Sequence, residues 1–162
     1  PRRRDPERPP KTWLDWQDAL GRLRERGSTC PYTSADPVAV HVENLSAWHN
    51  EPVVERNAAG QIVPRPIDLG PEGESVYLVL FGTGLRYHSG TPGAPGNAVR
   101  AEINLPNVAL SAPVSYAGEA PGLFGVDQIN LLLPRALKGV NSDVTVQLNV
   151  DGLAAAATVR IL

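Results

Sequence analysis

The residues of this 162-residue chain that could do chemistry are few and scattered. His41, His49 and His88 are its only histidines. No two of them have the H-x-H or i, i+4 spacing with which one strand or one helix offers a metal two imidazoles. Cys30 is alone, which excludes an internal disulfide and a cysteine metal cluster; beside Pro31 it reads as a surface or packing thiol. Gly82-Thr83-Gly84 ends an apolar run as a phosphate-cradling loop would. A dinucleotide fingerprint, however, needs its third glycine at position 87 and a helix behind it, whereas the next glycine is Gly90 and Pro92 and Pro95 oppose a helix. No Gly-Lys-Ser/Thr follows, and no serine lies in a G-x-S-x-G elbow. With no nucleophile, base or metal set, the chain is expected not to be an enzyme and to carry no cofactor.

The most distinctive polar group is Asp127-Gln128-Ile129-Asn130. At the start of a strand, its side-chain oxygens are expected to brace backbone N–H groups of the loop from Gly122 to Gly125. The sharper alternative is a calcium or sugar site at the loop ends, pairing Asp127 with Glu119 and drawing on Tyr87 and His88, although the acidic spacing is not that of an EF-hand. Aromatic side chains at such loops can stack on a sugar or anchor a protein. The tentative interaction surface is therefore Tyr87, His88, Glu119 and Asp127, together with Trp13 and Trp16 near the N-terminus. His41 is expected on the solvated side of its strand, and His49 in a turn.

Residues 1–11, "PRRRDPERPPK", hold four prolines, five basic groups and no large apolar side chain, so they predict a disordered tail. "TWLDWQDALGRLRERG" predicts a helix. Thr12 can cap it, Trp13, Trp16, Leu20 and Leu23 form one apolar stripe, and Gly27 can stop it. With its linker it spans 12–36. The absence of methionine and the proline at position 1 point to a fragment or processed product. The overall charge of −2 gives no reason to expect nucleic acid, and no apolar run is long enough to insert in a membrane.

From residue 37 the period changes to two. "VAVHVEN", "SVYLVLFGTG", "AVRAEINL", "APVSYAG", "VDQINLLLP" and "VTVQLNVDGLAAAATVRIL" read as strands, the last as a hairpin turning at Asp151-Gly152. "EPVVERNAAGQIVPRPIDLG" reads as two extended pieces about Asn57-Ala58-Ala59-Gly60, with Pro52, Pro64 and Pro66 confining them to edges or links. Many short strands with no helix between them predict antiparallel sheets rather than a parallel nucleotide-binding one.

From about residue 51 onward, "EPVVERNAAGQIVPRPIDLGPEGESVYLVLFGTGLR", "PVSYAGEAPGLFGVDQINLLLPRALKG" and "VTVQLNVDGLAAAATVRIL" follow one another in an order and spacing that resemble a known family. It is the C-terminal immunoglobulin/TIG-like β-sandwich domain of uncharacterised secreted acidobacterial proteins. "AEINLPNVALSAPV" departs from its usual tighter, glycine-bearing turn, and residues 1–36 lie outside the resemblance. The resemblance implies an all-β fold: an immunoglobulin-like antiparallel sandwich of about seven strands over 37–162, here preceded by one amphipathic helix. It implies a secreted or cell-surface location and no catalytic residues. The expected role is that of a non-catalytic accessory module serving adhesion, spacing or attachment, the alternative being a carbohydrate- or calcium-dependent binding module. Its partners would be other domains of the parent protein, a surface protein or a glycan.

Overall fold

The computed structural model of the chain describes residues 37–43, 47–91 and 94–162. The tail over 1–11, the helix expected over 12–27 with Trp13 and Trp16, and Cys30 lie outside the described residues.

The described residues are mostly strand, and their sheets are antiparallel throughout. Five strands, β1 (Val38–Glu43), β2 (Ala47–Pro52), β5 (Glu74–Gly82), β8 (Val114–Glu119) and β9 (Asp127–Leu132), form a first sheet in the order β2-β1-β5-β9-β8. Four more, β6 (Val99–Leu105), β7 (Val108–Ser111), β10 (Asp143–Val150) and β11 (Leu153–Arg160), form a second in the order β11-β10-β6-β7. The short pair β3 (Val54–Arg56) and β4 (Ile62–Pro64) stands apart as a hairpin. Among the described residues the strands thus number eleven rather than about seven. β2, β7 and the β3–β4 hairpin account for the surplus, because prolines and a tight turn at Asn57–Gly60 still leave room for short ladders.

One hydrophobic cluster draws on both larger sheets. Val76, Leu78, Ile129 and Leu131 come from the first; Val99, Ile103, Val144 and Val146 come from the second. Burying each such side chain contributes about 1.5–3 kcal/mol. The alternation expected of β6 and β10 is found, with Val99, Ala101 and Ile103, and Val144, Val146 and Leu148, all buried. The hairpin turn at Asp151-Gly152 is also found; both residues take positive φ (49° and 85°), as the tight turn between twisted strands requires.

β1 reverses the expected orientation. Ala39 and His41 point toward the cluster and are buried, while Val38, Val40 and Val42 are only half-buried on the other face. His41 is therefore not solvated. Its Nδ1 meets the Glu74 carboxylate on β5, and its Nε2 lies 3.5 Å from Glu51 on β2. The Glu74 contact makes an inward imidazole tolerable, while Nε2 is buried without a hydrogen bond and has only the more distant Glu51 carboxylate beside it. His49 lies in β2 rather than in a turn, opposite His41, with its ring stacked on it at 4.6 Å between centroids.

Candidate functional site

Four of the sequence-predicted residues, Tyr87, His88, Glu119 and Asp127, converge at one end of the first sheet. There β5 ends at Gly82, β8 ends at Glu119 and β9 begins at Asp127, which faces both Gly82 and Glu119 across the ladders. Beyond Gly82 the chain turns a corner: Gly84 takes φ +87°, and Leu85–Tyr87 form a single 3-10 turn instead of a helix. Gly84 serves backbone geometry, since only glycine takes that angle freely. The turn aims Arg86 back over the sheet end.

Arg86 organises the site. Its backbone N–H donates to Asp127 Oδ2 at 3.2 Å, and its Nε donates to the same carboxylate. One terminal nitrogen meets Glu119, and the other donates to the Val126 carbonyl at 3.0 Å. The hydrogen bond to Asp127 outweighs desolvation and raises the Arg86 pKa above its ordinary value. Asp127 is only 1% exposed, and each of its two carboxylate oxygens accepts a hydrogen bond from Arg86. It braces the neighbouring corner at Arg86 rather than the N–H groups of Gly122–Gly125. Gln128 turns instead to Asn130, 2.7 Å away.

His88 is buried with both ring nitrogens engaged. The Gly90 N–H donates to Nδ1 at 3.0 Å, which leaves the proton on Nε2 to reach the Ala117 carbonyl at 3.2 Å. Its neighbour Ser89 donates through both its N–H and its hydroxyl to Asp151, at 2.7 and 2.6 Å, and this lowers the Asp151 pKa below the usual carboxylate value. The corner after β5 is thereby fastened to the β10–β11 turn of the second sheet.

What remains open at this end is aromatic. Tyr87 is 82% exposed and Phe124 87% exposed. A cleft of about 370 Å³ runs between Arg86, Tyr116, Glu119 and the loop Pro121–Gly125 that carries Phe124. The tentative surface is therefore divided: Tyr87 and Glu119 face outward, His88 and Asp127 are interior supports, and Trp13 and Trp16 lie outside the described residues. Two members of the site were not anticipated. Phe124 could have been found from its setting, an apolar pair between two glycines in "GLFG". Arg86 left no local signal, because its partners lie more than thirty positions away. Among the described residues no group of three histidine, cysteine or acidic side chains is placed to hold a metal ion.

Comparison with known proteins gives a partial likeness. No family model matches the chain, and no solved structure matches it. Over 53 residues, 33% of the chain, it is 45% identical to the sn-glycerol-3-phosphate-binding periplasmic protein UgpB of Yersinia pestis. It is 42% identical over the same length to the protein of that name from Escherichia coli K12. The chain covers 12% of the length of these relatives.

Proposed function

We propose that residues 37–162 are an immunoglobulin-like β-sandwich serving as a non-catalytic accessory module of an exported bacterial protein, attached to its target through the loop end at Tyr87 and Phe124. The strand orders support the fold. β1-β5-β9-β8 corresponds to the A-B-E-D sheet of an immunoglobulin domain and β11-β10-β6-β7 to its G-F-C-C′ sheet, with β2 and the β3–β4 hairpin added. The resemblance to secreted acidobacterial domains and the short likeness to a periplasmic binding protein both favour an extracytoplasmic setting. Among the described residues no helix is long and apolar enough to cross a membrane.

The observation that carries this function is the closure of the Arg86 network. Arg86 and Asp127 are spent on one another, so a partner meets the exposed ring of Phe124 at the cleft, the exposed ring of Tyr87 next to Arg86 in the chain, and the outward carboxylate of Glu119. Such rings give large contact area at low entropic cost. A neutral glycan, stacking on the rings and offering hydroxyls to Glu119, fits better than calcium, because the guanidinium already occupies the cation position between the two carboxylates. A glycan array probed with calcium and again with EDTA tests the reading. Expected is binding indifferent to EDTA and lost in the Y87A/F124A double variant. Binding that requires calcium, or that survives the loss of both rings, would overturn it.

A further inference from the structure

The two larger sheets have four edge strands between them, and natural proteins usually blunt such edges against pairing with another chain. β2 carries Glu51 and Pro52, β8 has a register irregularity between Val114 and Tyr116, and β7 is four residues long. β11 has none of these devices. Its eight residues, "LAAAATVR", run in unbroken register against β10 with no proline and no charge before Arg160.

The far end of this edge already accepts a neighbour. Ile67 N–H donates to the Arg160 carbonyl and Leu162 N–H donates to the Ile67 carbonyl, both at 2.9 Å, whereas Ile161 N–H points the other way, to Ser142. Alternation along the strand therefore directs the N–H and C=O groups of Ala154, Ala156 and Thr158 outward. Among the described residues nothing pairs with them. Leu153 and Ala155 lie on the same face as buried Val159, the side turned toward the core, yet both are exposed, Leu153 by 76%.

We propose that β11 is a self-association edge, to which a second copy of this chain adds its own β11 antiparallel about a two-fold axis at Ala156. A two-fold normal to the sheet keeps facing residues on the same side. Centred at Ala156, it sets that residue opposite its own copy, Ala154 opposite Thr158 of the partner subunit, and exposed Leu153 opposite Val159 of the partner subunit. Each hydrogen-bonded pair satisfies outward groups that now face solvent, and the small alanines let the backbones approach. The stretch from Leu153 to Val159 contains no charged residue, so like copies meet without repulsion and a charged partner finds no complement. Pairing over one short edge falls near or below the ~1,200 Å² of specific interfaces, so association is weak and concentration-dependent.

Sedimentation velocity of the whole chain over rising concentration is the test. The wild-type chain should pass from monomer to dimer. A156P removes an outward N–H while sparing the ladder to β10, and should remain monomeric. A156K and A156E each place like charges opposite one another and should weaken association severalfold; mixing the two should restore it. The charge variants decide the matter even if the proline variant fails to fold. A wild-type chain that stays monomeric at millimolar concentration, an A156K variant that dimerises unchanged, or a mixture that fails to recover would each overturn the proposal.

Discussion

Arg86 holds Asp127 through both its backbone N–H and its guanidinium, joining residues 41 apart in sequence at the end of the first sheet. Asp127 is interior and Arg86 is about a fifth exposed, so the pair sits between a surface ion pair and a buried one. Removing one member strands the other, and that sets the first prediction.

Asp127→Ala should lower stability by about 2 kcal/mol, less than the 3–5 expected for a wholly buried pair because water reaches the arginine. Arg86→Ala should cost about as much, since it leaves an interior carboxylate without its donor. The double variant should lose much less than the two losses added. Urea unfolding of the four proteins gives the coupling; simple additivity would mean that the two side chains do not depend on each other. Arg86→Lys should rescue only partly, because an ammonium cannot serve Asp127, Glu119 and the Val126 carbonyl in one fork.

Phe124→Ala and Tyr87→Ala should leave stability within about 0.5 kcal/mol, as is usual for exposed positions outside special backbone geometry. Thermal melts check this. A large loss for either would place the ring in the packing and deprive the proposed attachment surface of its free aromatics.

The His41–Glu74 contact makes a different demand. Both side chains are under a tenth exposed, and the imidazole also faces Glu51, whose other oxygen accepts from Arg65 at 3.1 Å. Glu74→Leu alone leaves an interior imidazole without its main partner, and His41→Leu alone leaves an interior carboxylate, so each should destabilise by about 3 kcal/mol. The double replacement by leucine should recover most of that, because apolar residues of similar volume ask for no partner. Gly70→Ala should be damaging in its own right: the position takes φ +66°, and an added Cβ would run into the Glu74 carboxylate. Equilibrium unfolding would contradict this account if the double variant were the least stable of the series.

Wherever burial follows alternation, the sequence is easy to read. β6, β10 and the Asp151-Gly152 turn announce themselves because one face is apolar, the other polar, and the turn needs positive φ. β1 misleads for an equally physical reason. Its valines suggest the inner face, but the inward position goes to His41, whose carboxylate partners come from β2 and β5. The site shows the same division. Asp127 stands out as a polar residue opening an apolar strand, whereas Arg86 can be assigned only once the ladders bring Gly82, Asp127 and Glu119 together. Long-range polar pairing is a property of the register, and no local window contains it.

The acid limb of the stability profile should report the Ser89–Asp151 contact. Hydrogen bonds from the Ser89 hydroxyl and N–H hold the folded Asp151 pKa below that of the unfolded chain, about 3.9. A depressed carboxylate contributes stability that is present above the unfolded value and lost as pH falls through the folded one, because the unfolded chain binds the proton first. Ser89→Ala removes the hydroxyl donor, and Asp151→Asn removes the charge while keeping a residue that tolerates the positive φ of the turn. Each variant should therefore melt below wild type by a constant margin above about pH 5, and the margin should close as the pH drops below the folded value and wild-type Asp151 takes up its proton. Melting temperatures from neutral pH down to about pH 2.5 make the comparison. A margin that stays the same across that range would show that the contact owes nothing to the ionised carboxylate, and the fastening of the β5 corner to the β10–β11 turn would then have to be explained by packing alone.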